Sequence, residues 1–256
     1  MSRYLNPYIL EDLKKKMVFL GGPRQCGKTT LAKSIISSTG GRYLNWDFSE
    51  DRKEILNASW QKEAGLVVFD EVHKYRKWKN LIKGFFDKFH GQNEFLVTGS
   101  ARLDVYRKGG DSLMGRYHYW RLHPFTLSEL PSKITPLEGH NRLMKVGGFP
   151  EPFLDNDDRA ARRWREERIS KVLRDDVRDL ENIKDIQSLE LMLELLRSRS
   201  GTPLNLSNLA QDLQVSSVTV KSWLQVLERM YLIFIVMPYT GNLARALQKP
   251  PKVYFF

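Results

Sequence analysis

A phosphate-binding loop pattern near the start of the chain constrains its fold more than any other feature. Residues 22–29 match G-x-x-x-x-G-K-[ST] at every fixed position. An apolar run, Met17 to Leu20, precedes the loop as a buried strand would, and residues 31–38 after it carry apolar side chains at helical spacing. A strand, a glycine-rich loop and a helix in this order predict an α/β fold with a phosphate site at the loop. The alternative, a glycine-rich turn before a helix, gives no reason for Lys28 and Thr29.

The loop offers several groups that suit the phosphates of a nucleotide. Gly22 and Gly27 allow a tight turn in which successive N–H groups converge on an anion, and the following helix adds the positive end of its dipole. Lys28 is predicted to reach the β- and γ-phosphates, and the Thr29 hydroxyl to coordinate Mg²⁺. For Thr30, a capping or packing role in the first helical turn is the alternative. The predicted nucleotide-binding residues of the loop are Gly22, Pro23, Arg24, Gln25, Cys26, Gly27, Lys28, Thr29 and Thr30.

A pair of carboxylates follows a second apolar run. Leu66 to Phe69 is continuous and apolar, as expected of a strand buried on both faces of a parallel sheet, and Asp70 and Glu71 come directly after it. The pair would then lie at the ligand-binding edge of the sheet. Asp70 is predicted to hold Mg²⁺, and Glu71 to act as the catalytic base toward the attacking water. The alternative is a strand whose solvated end happens to be acidic.

Two further catalytic candidates accompany later strands. The run Phe95 to Ser100 ends in small polar residues. If its strand lies between the first and third strands, Thr98 or Ser100 points at the γ-phosphate, and Ser100 is the favoured sensor; a turn with capping hydroxyls is the alternative. Arg116 precedes a predicted strand, Tyr117 to Leu122, and is predicted to act as an arginine finger in a neighbouring subunit's site. A surface or helix-capping arginine is the alternative there.

With these residues assembled, the chain looks like an AAA-type P-loop ATPase. It closely resembles a large bacterial and archaeal family in which an AAA core precedes a winged-helix segment and a C-terminal domain of unknown function. The resemblance runs from about residue 10 to the end, and the core is similar to that of origin-recognition and STAND ATPases. It implies a P-loop NTPase fold: a parallel five-stranded sheet with helices on both faces, then a helical lid and a winged helix-turn-helix domain. The motifs that carry it are Gly-Pro-Arg-Gln-x-Gly-Lys-Thr-Thr-Leu, Val-Phe-Asp-Glu-Val-His-Lys, Leu-Val-Thr-Gly-Ser, Leu-x-Gly-Arg and Gly-Gly-Phe-Pro-Glu-Pro.

The resemblance also implies the ligands. ATP or ADP, with Mg²⁺, is the expected cofactor. In such relatives a Gly-x-Pro turn of the lid lies over the adenine, which implies Gly148 and Pro150 in this chain. Relatives usually have an aliphatic residue where this chain has Cys26, which is expected to pack as a small apolar residue; a reactive thiol is the alternative. An ATPase of this kind is expected to form a homo-oligomer through Arg116.

The predicted domain organisation has four parts: an ATPase core at 1–135, a helical lid at 136–185, a winged helix-turn-helix at 186–240, and the start of a truncated C-terminal domain at 241–256. Within the core, Glu54 to Glu63 is predicted to be a helix. In the third part, Leu206 to Leu213 is predicted to be a short helix capped by Ser207. A turn and a second helix, Ser217 to Met230, follow before an apolar strand.

Composition narrows the range of partners. The 256 residues carry a formal net charge of +11, which favours polyanionic partners, nucleic acid first, although solvated helices of mixed charge are an equally good explanation. No run approaches the about 18 apolar residues of a membrane helix, and no signal peptide is evident, so no membrane partner is expected. A single cysteine fits a cytoplasmic location.

The sequence therefore predicts a Mg²⁺-dependent ATP hydrolase that couples its nucleotide state to assembly and to a DNA or protein partner. Two alternatives stay open at this point. One is a slow nucleotide-gated switch with little turnover. The other is a DNA-binding regulator in which ATP only sets the affinity.

Overall fold

The computed structural model describes residues 3–62, 65–99, 113–177, 185–239, 241 and 249–256. The chain forms two compact units, Met1–Trp164 and Arg165–Phe256. All the site residues predicted from the sequence belong to the first unit.

A five-stranded parallel sheet forms the centre of the first unit. Its strands are β1 (Met17–Gly21), β2 (Arg42–Asn45), β3 (Gly65–Asp70), β4 (Asn93–Thr98) and β5 (Tyr117–Arg121). They are ordered β2-β3-β4-β1-β5, and every neighbouring pair is parallel. The predicted α/β class is confirmed, and β4 lies between β1 and β3, as the sensor prediction requires.

Helices flank this sheet and continue beyond it. In the described residues up to 177 they are α1 (Asn6–Leu13), α2 (Lys28–Thr39), α3 (Ser49–Asn57), α4 (Trp78–Phe89), α5 (Pro136–Val146), α6 (Pro150–Asp155) and α7 (Asp158–Lys171). Short 3₁₀ turns lie at Ser59–Lys62, Val72–Lys74 and Leu127–Glu129, and a π-helical turn at Val172–Val177 follows α7. Among the described residues, no helix combines the length and apolar character needed to cross a membrane.

The central strands are continuous apolar runs because both of their faces are covered. Every residue of β1 is buried, as is every residue of β3 after Gly65. The parallel register aligns Leu20 with Thr98, and Thr98 with Asp70. The carboxyl ends of β1, β4 and β3 therefore lie side by side at one edge of the sheet.

An aromatic cluster fills the core on one side of the sheet. Trp60 is 2% exposed and meets four phenylalanine rings edge-on, with ring centroids 5.0 to 5.7 Å apart. Edge-to-face contacts at these separations add to the stabilisation from burial alone. The four rings belong to Phe69, Phe85, Phe89 and Phe95.

The helix predicted over Glu54 to Glu63 is placed wrongly. The structure has α3 at Ser49–Asn57, and the 3₁₀ turn that carries Trp60 follows it. Ala58 ends the helix because its backbone is left-handed, with φ 51° and ψ 32°. The buried tryptophan thus lies beyond the helix rather than within it.

The second unit contains a helix–turn–helix order followed by two strands. From residue 185 on, its elements among the described residues are α8 (Ile186–Ser198), α9 (Leu206–Asp212), α10 (Ser217–Arg229), β6 (Ile233–Val236) and β7 (Lys252–Phe255). The cap of α9 is Asn205, whose side chain accepts hydrogen bonds from the N–H groups of Ser207 and Asn208. The prediction that Ser207 caps this helix is wrong, because Ser207 is already inside the first turn.

The strand near the C-terminus pairs within this unit. Antiparallel pairing joins β7 to β6, with Ile233 opposite Phe255 and Val236 opposite Lys252. On its other edge, β7 receives a backbone hydrogen bond from Gly201 (to Val253 O, 3.0 Å), and Leu204 donates to Pro251 O (2.8 Å) just before the strand. Both edges of this short strand are therefore occupied by backbone partners.

Removing the Trp60 side chain tests the aromatic core. Trp60→Ala is expected to lower the free energy of unfolding by about 3–5 kcal/mol, because a large buried ring is replaced by a cavity. Urea titration followed by circular dichroism measures this change. Phe48→Ala is the control, because Phe48 is 59% exposed and its removal is expected to cost about 0.5 kcal/mol or less. Equal losses for the two variants would contradict the assignment of Trp60 to the core.

Candidate functional site

The loop after β1 ends in a helix start that no side chain caps. Gly27 is the N-cap of α2, with φ 96° and ψ 20°, and no side chain in the described part of the protein caps the first turn. The first turn also contains no acidic residue. Uncapped N–H groups at the positive end of a helix dipole favour binding of an anion, phosphate above all.

The Lys28 ammonium lies inside the loop. It donates hydrogen bonds to the carbonyl oxygens of Gly22 (3.0 Å) and Pro23 (2.6 Å), and only 8% of the residue is exposed. Both partners are neutral acceptors, so neither of them compensates the positive charge of Lys28 within the cradle that the loop forms. A charged phosphate oxygen would be a stronger acceptor than either carbonyl.

A buried carboxylate joins two of the sequence motifs. The Thr29 hydroxyl donates to Asp70 Oδ2 at 2.9 Å, which brings the start of α2 to the end of β3. Thr98 at the end of β4 donates to the other oxygen of Asp70. Asp70 is 3% exposed, and hydroxyl groups surround it. The structure therefore brings Thr29 and Asp70, the pair predicted to bind a metal, into direct contact.

Tyr43 is a third hydroxyl donor that the sequence analysis missed. Its phenol donates to Asp70 Oδ2 at 2.5 Å from the adjacent strand β2. Burial is the main reason that the pKa of Tyr43 is raised above its usual value, and the hydrogen bond to Asp70 acts in the same direction. The register pairs Asn45 with Asp70, so Tyr43, two residues earlier, lies on the same face of the sheet. An alternation pattern in β2 could have indicated this residue.

Glu71 occupies an unusual backbone conformation directly beyond the strand. Its φ of 58° and ψ of 14° are left-handed, a conformation that is uncommon outside glycine and concentrates at functional sites. Burial raises the pKa of the Glu71 carboxyl above its usual value; Asp70 acts in the same direction, and Lys74 opposes it. A carboxylate with a raised pKa is a stronger base toward water.

Two cationic or ionisable neighbours of Glu71 were not foreseen either. Lys74 Nζ lies 3.5 Å from Glu71 Oε2 and forms a closer ion pair with Asp47, at 2.6 Å. His73 is buried, and its Nε2 lies 3.6 Å from the same oxygen of Glu71. These contacts fix where the Glu71 side chain points. They follow from the 3₁₀ turn after Glu71, which the apolar pattern of β3 does not predict.

The predicted Gly-x-Pro turn lies next to the loop. A methyl group built on Gly27 would be 3.8 Å from Cγ of Pro150. Gly148 accepts a hydrogen bond from the N–H of Phe125 at 2.7 Å, and a side chain at Gly148 would lie 2.6 Å from the Phe125 carbonyl oxygen. The segment after β5 thus holds the turn beside the start of α2.

The remaining loop residues have different environments. Cys26 is fully buried, and its thiol donates to the Leu122 carbonyl oxygen at 3.3 Å. Arg24 is half-buried, while Gln25 is exposed with a left-handed φ of 62°. Thr30 is exposed on the first turn of α2, where it neither packs nor caps.

Arg116 lies at the opposite edge of the sheet. The register pairs Met17, at the start of β1, with Tyr117, so Arg116, one residue earlier, is roughly 16 Å along the strand direction from the loop end of the sheet. Its guanidinium forms a two-point ion pair with Asp87 of α4, at 2.7 and 3.3 Å. The hydrogen bond from Arg116 holds the pKa of Asp87 below its usual value. Ser100, the predicted sensor, lies outside the described residues.

Two family matches divide the chain. Residues 14–131 match a family described as "AAA domain", and residues 138–256 match one described as "Domain of unknown function (DUF8612)". The first match contains the loop, Asp70 and Glu71. It supports an AAA-type P-loop ATPase. The second match covers the stretch predicted to hold the lid and the winged helix-turn-helix, and its description names no function, so those assignments stay predictions.

Relatives with curated sequences carry no described function. The chain is 25% identical over 242 residues to the uncharacterized protein Rv2008c of Mycobacterium tuberculosis and to Mb2031c of Mycobacterium bovis. These matches cover 93% of this chain and 53% of each relative. The uncharacterized protein MJ1637 of Methanocaldococcus jannaschii is 23% identical over 308 residues, covering 100% of this chain and 63% of that protein. The chain thus spans little more than half the length of these relatives.

Solved structures give weaker matches. The Aeropyrum pernix ORC1 protein in complex with DNA shares 13% identity, with a TM-score of 0.43 over 100% of this chain and 90% of that one. A point variant of Thermotoga maritima RuvB shares 18% identity, with a TM-score of 0.42 over 95% of this chain and 93% of that one. TM-scores below 0.5 add nothing to the topology described above.

The pH dependence of stability tests the environment of His123, whose carbonyl group lies behind the phosphate loop. His123 follows β5, and burial lowers the pKa of its imidazole below the usual 6.5, with Arg121 and Arg3 acting in the same direction. The unfolded chain therefore binds a proton more readily than the folded chain, so stability falls as pH drops below about 6.5. His123→Asn is expected to weaken this fall. Urea unfolding of both proteins between pH 8 and 5.5 measures it, and identical slopes would contradict the lowered pKa of this half-buried imidazole.

Proposed function

We propose that this protein binds Mg²⁺–ATP at the loop between β1 and α2 and hydrolyses it, with Glu71 as the catalytic base. The observation that supports this best is the 2.9 Å contact between the Thr29 hydroxyl and Asp70. These residues are 41 positions apart and belong to two separate motifs. Their contact at the uncapped start of α2 combines a phosphate site with oxygen ligands for a metal.

The loop would bind the phosphates through its amides and its lysine. The N–H groups at the start of α2 donate to the β- and γ-phosphates, and Lys28 exchanges the carbonyls of Gly22 and Pro23 for phosphate oxygens. This exchange needs only a side-chain rotation, because Lys28 already lies within the cradle. The binding energy thus comes from charge-assisted hydrogen bonds in a partly buried site.

The metal would be held by Thr29 and Asp70. Both offer oxygen atoms, the ligand type that Mg²⁺ prefers, and the Thr29 hydroxyl can rotate to present a lone pair. Bound Mg²⁺ neutralises charge that develops on the phosphates. Tyr43 and Thr98 keep the Asp70 carboxylate in a fixed orientation through their hydroxyl groups.

Glu71 would take the proton of the attacking water. It directly follows Asp70, so it lies at the same edge of the sheet as the loop. Its raised pKa increases its basicity, and the nearby Lys74 stabilises the ionised form that a base must have. The resemblance to AAA-type ATPases is the reason for proposing adenine rather than guanine as the nucleobase. It also suggests that Gly148 and Pro150 lie beside the adenine ring.

The proposal also includes assembly of several copies of the chain, with Arg116 acting in a neighbour's site. Arg116 is too far from its own loop to act there, so a catalytic role for it requires a neighbouring copy of the chain. Such a role also requires Arg116 to leave or share its ion pair with Asp87. A DNA-binding role for α10 receives no comparable support, because Lys221 is the only cation among the exposed positions of this fully described helix.

Nucleotide binding is tested by removing the lysine. Lys28→Ala is expected to weaken ATP binding on the order of a hundredfold, because two charge-assisted hydrogen bonds to phosphate are lost. Titration calorimetry with Mg²⁺–ATP measures the affinity. Lys15→Ala is the control, since Lys15 is exposed and pairs with Glu11 on the surface of α1. Unchanged affinity in the folded Lys28→Ala protein would overturn the proposed site.

Hydrolysis is tested by removing the base. Glu71→Gln is expected to bind ATP with near wild-type affinity and to lower turnover by about 10²–10⁴-fold, because the amide cannot accept the proton. Phosphate release measures turnover. Glu54→Gln is the matched control: its side chain is 21% exposed against 22% for Glu71, and it also pairs with a cation, Arg42. Wild-type turnover in Glu71→Gln would remove Glu71 from the mechanism, and very slow turnover in the unmodified protein would favour the switch.

A further inference from the structure

A buried arginine contacts the phosphate loop from behind. Arg3 donates from Nε to Glu129 Oε1 (2.6 Å), from Nη1 to the Cys26 carbonyl oxygen (2.9 Å) and from Nη2 to the His123 carbonyl oxygen (2.5 Å). Its guanidinium also lies over the ring of Phe125, with Cζ 4.8 Å from the centroid. Only 6% of Arg3 is exposed. All three kinds of guanidinium nitrogen therefore have defined partners.

The Glu129 carboxylate ties this arginine to the rest of the first unit. The side chain of Glu129 is 1% exposed. Its Oε2 accepts hydrogen bonds from the N–H and the hydroxyl of Thr126, at 2.9 and 3.0 Å, and its Oε1 also accepts from the N–H of Tyr4. Both oxygens of the carboxylate are thus occupied. Arg3 is held rigidly, because its counter-ion is itself fixed by backbone groups.

The contact with Cys26 determines the orientation of one particular peptide group. The peptide bond between Cys26 and Gly27 is planar and trans, so its carbonyl and its N–H point in opposite directions. A carbonyl directed at Arg3 therefore directs the Gly27 N–H away from Arg3. Gly27 has a φ of 96° and no side chain to restrict this plane, so its orientation depends on contacts from outside the loop.

We propose that Arg3 is a positioning residue for the phosphate loop, which holds the Gly27 N–H in the orientation that donates to a bound phosphate. This inference rests on the proposed function of the loop as an ATP site. Arg3 does not touch the reacting atoms; it acts through the Cys26 carbonyl. The positive guanidinium also lies close behind the loop, since a methyl group on Gly27 would be 3.4 Å from its Nη1.

The chemistry of the pair favours positioning over stabilisation alone. A buried ion pair often contributes little net stability, because removing both charges from water offsets their attraction. The planar guanidinium, in contrast, fixes three acceptors in one geometry, which a lysine ammonium cannot reproduce. The arginine is therefore suited to holding the carbonyls of Cys26 and His123 and the Glu129 carboxylate at set positions.

The test compares Arg3→Lys with the unmodified protein, using Mg²⁺–ATP and inorganic tripolyphosphate as separate probes in titration calorimetry. Because the loss is at the phosphates, Arg3→Lys is expected to weaken both probes by a similar factor, roughly tenfold or more. Arg42→Lys is the matched control, since Arg42 makes a two-point ion pair with Glu54 far from the loop. That control is expected to bind both probes normally.

A second variant and a stability measurement separate positioning from misfolding. Glu129→Gln still accepts from Arg3 through its amide oxygen, but its amide nitrogen cannot accept from the N–H of Thr126. It is therefore expected to lower the melting temperature and to weaken both probes in the same direction as Arg3→Lys, by a smaller factor. All titrations are run well below the melting temperature of each variant, measured without ligand. Wild-type affinity for tripolyphosphate in both variants, or a loss confined to ATP, would overturn the positioning role. Failure of the unmodified protein to bind either probe would instead overturn the proposed ATP site.

Discussion

The contact between the loop backbone and the Leu122 carbonyl determines where the rest of the candidate site lies. A Cβ on Gly22 would be 2.3 Å from that oxygen, so only glycine allows the loop to approach the segment after β5 this closely. The Cys26 thiol donates to the same oxygen from the other end of the loop. Both ends of the loop thus lie against one carbonyl, Gly22 by close approach and Cys26 by a hydrogen bond. This contact holds the loop, and with it the start of α2, against the segment after β5.

The sheet supplies the buried carboxylate, Asp70, that the loop itself does not contain. A buried carboxylate needs hydrogen-bond donors, and the parallel register places Thr98 beside Asp70 while Tyr43 reaches it along the neighbouring strand. Together with Thr29, these donors are hydroxyl groups, which satisfy the oxygens of Asp70 without neutralising its charge. The carboxylate is therefore fixed in orientation while it stays attractive to a cation. This arrangement combines rigidity with binding capacity in one side chain.

The parts of the site that local patterns encode were predictable. Fixed spacing identified Lys28 and Thr29, and a continuous apolar run identified β3 and Asp70 at its end. Contacts between distant segments were not predictable, because Arg3 and Glu129 each look like ordinary surface residues when only their neighbours in the sequence are considered. The end of α3 was predicted wrongly for another reason, because alanine gives no sequence signal for the left-handed backbone that Ala58 adopts. Strand register and side-chain burial, rather than composition, determine where these residues lie and where such a helix ends.

The burial of Cys26 has a practical consequence. It is the only cysteine in the chain, it lies within the phosphate loop, and none of its surface is exposed. A thiol reagent can reach it only when the loop separates from Leu122, so the rate of labelling reports how often this local opening occurs. The native sequence thus provides one labelling site whose rate of modification reports local opening of the phosphate loop, and no engineered probe is needed to measure it.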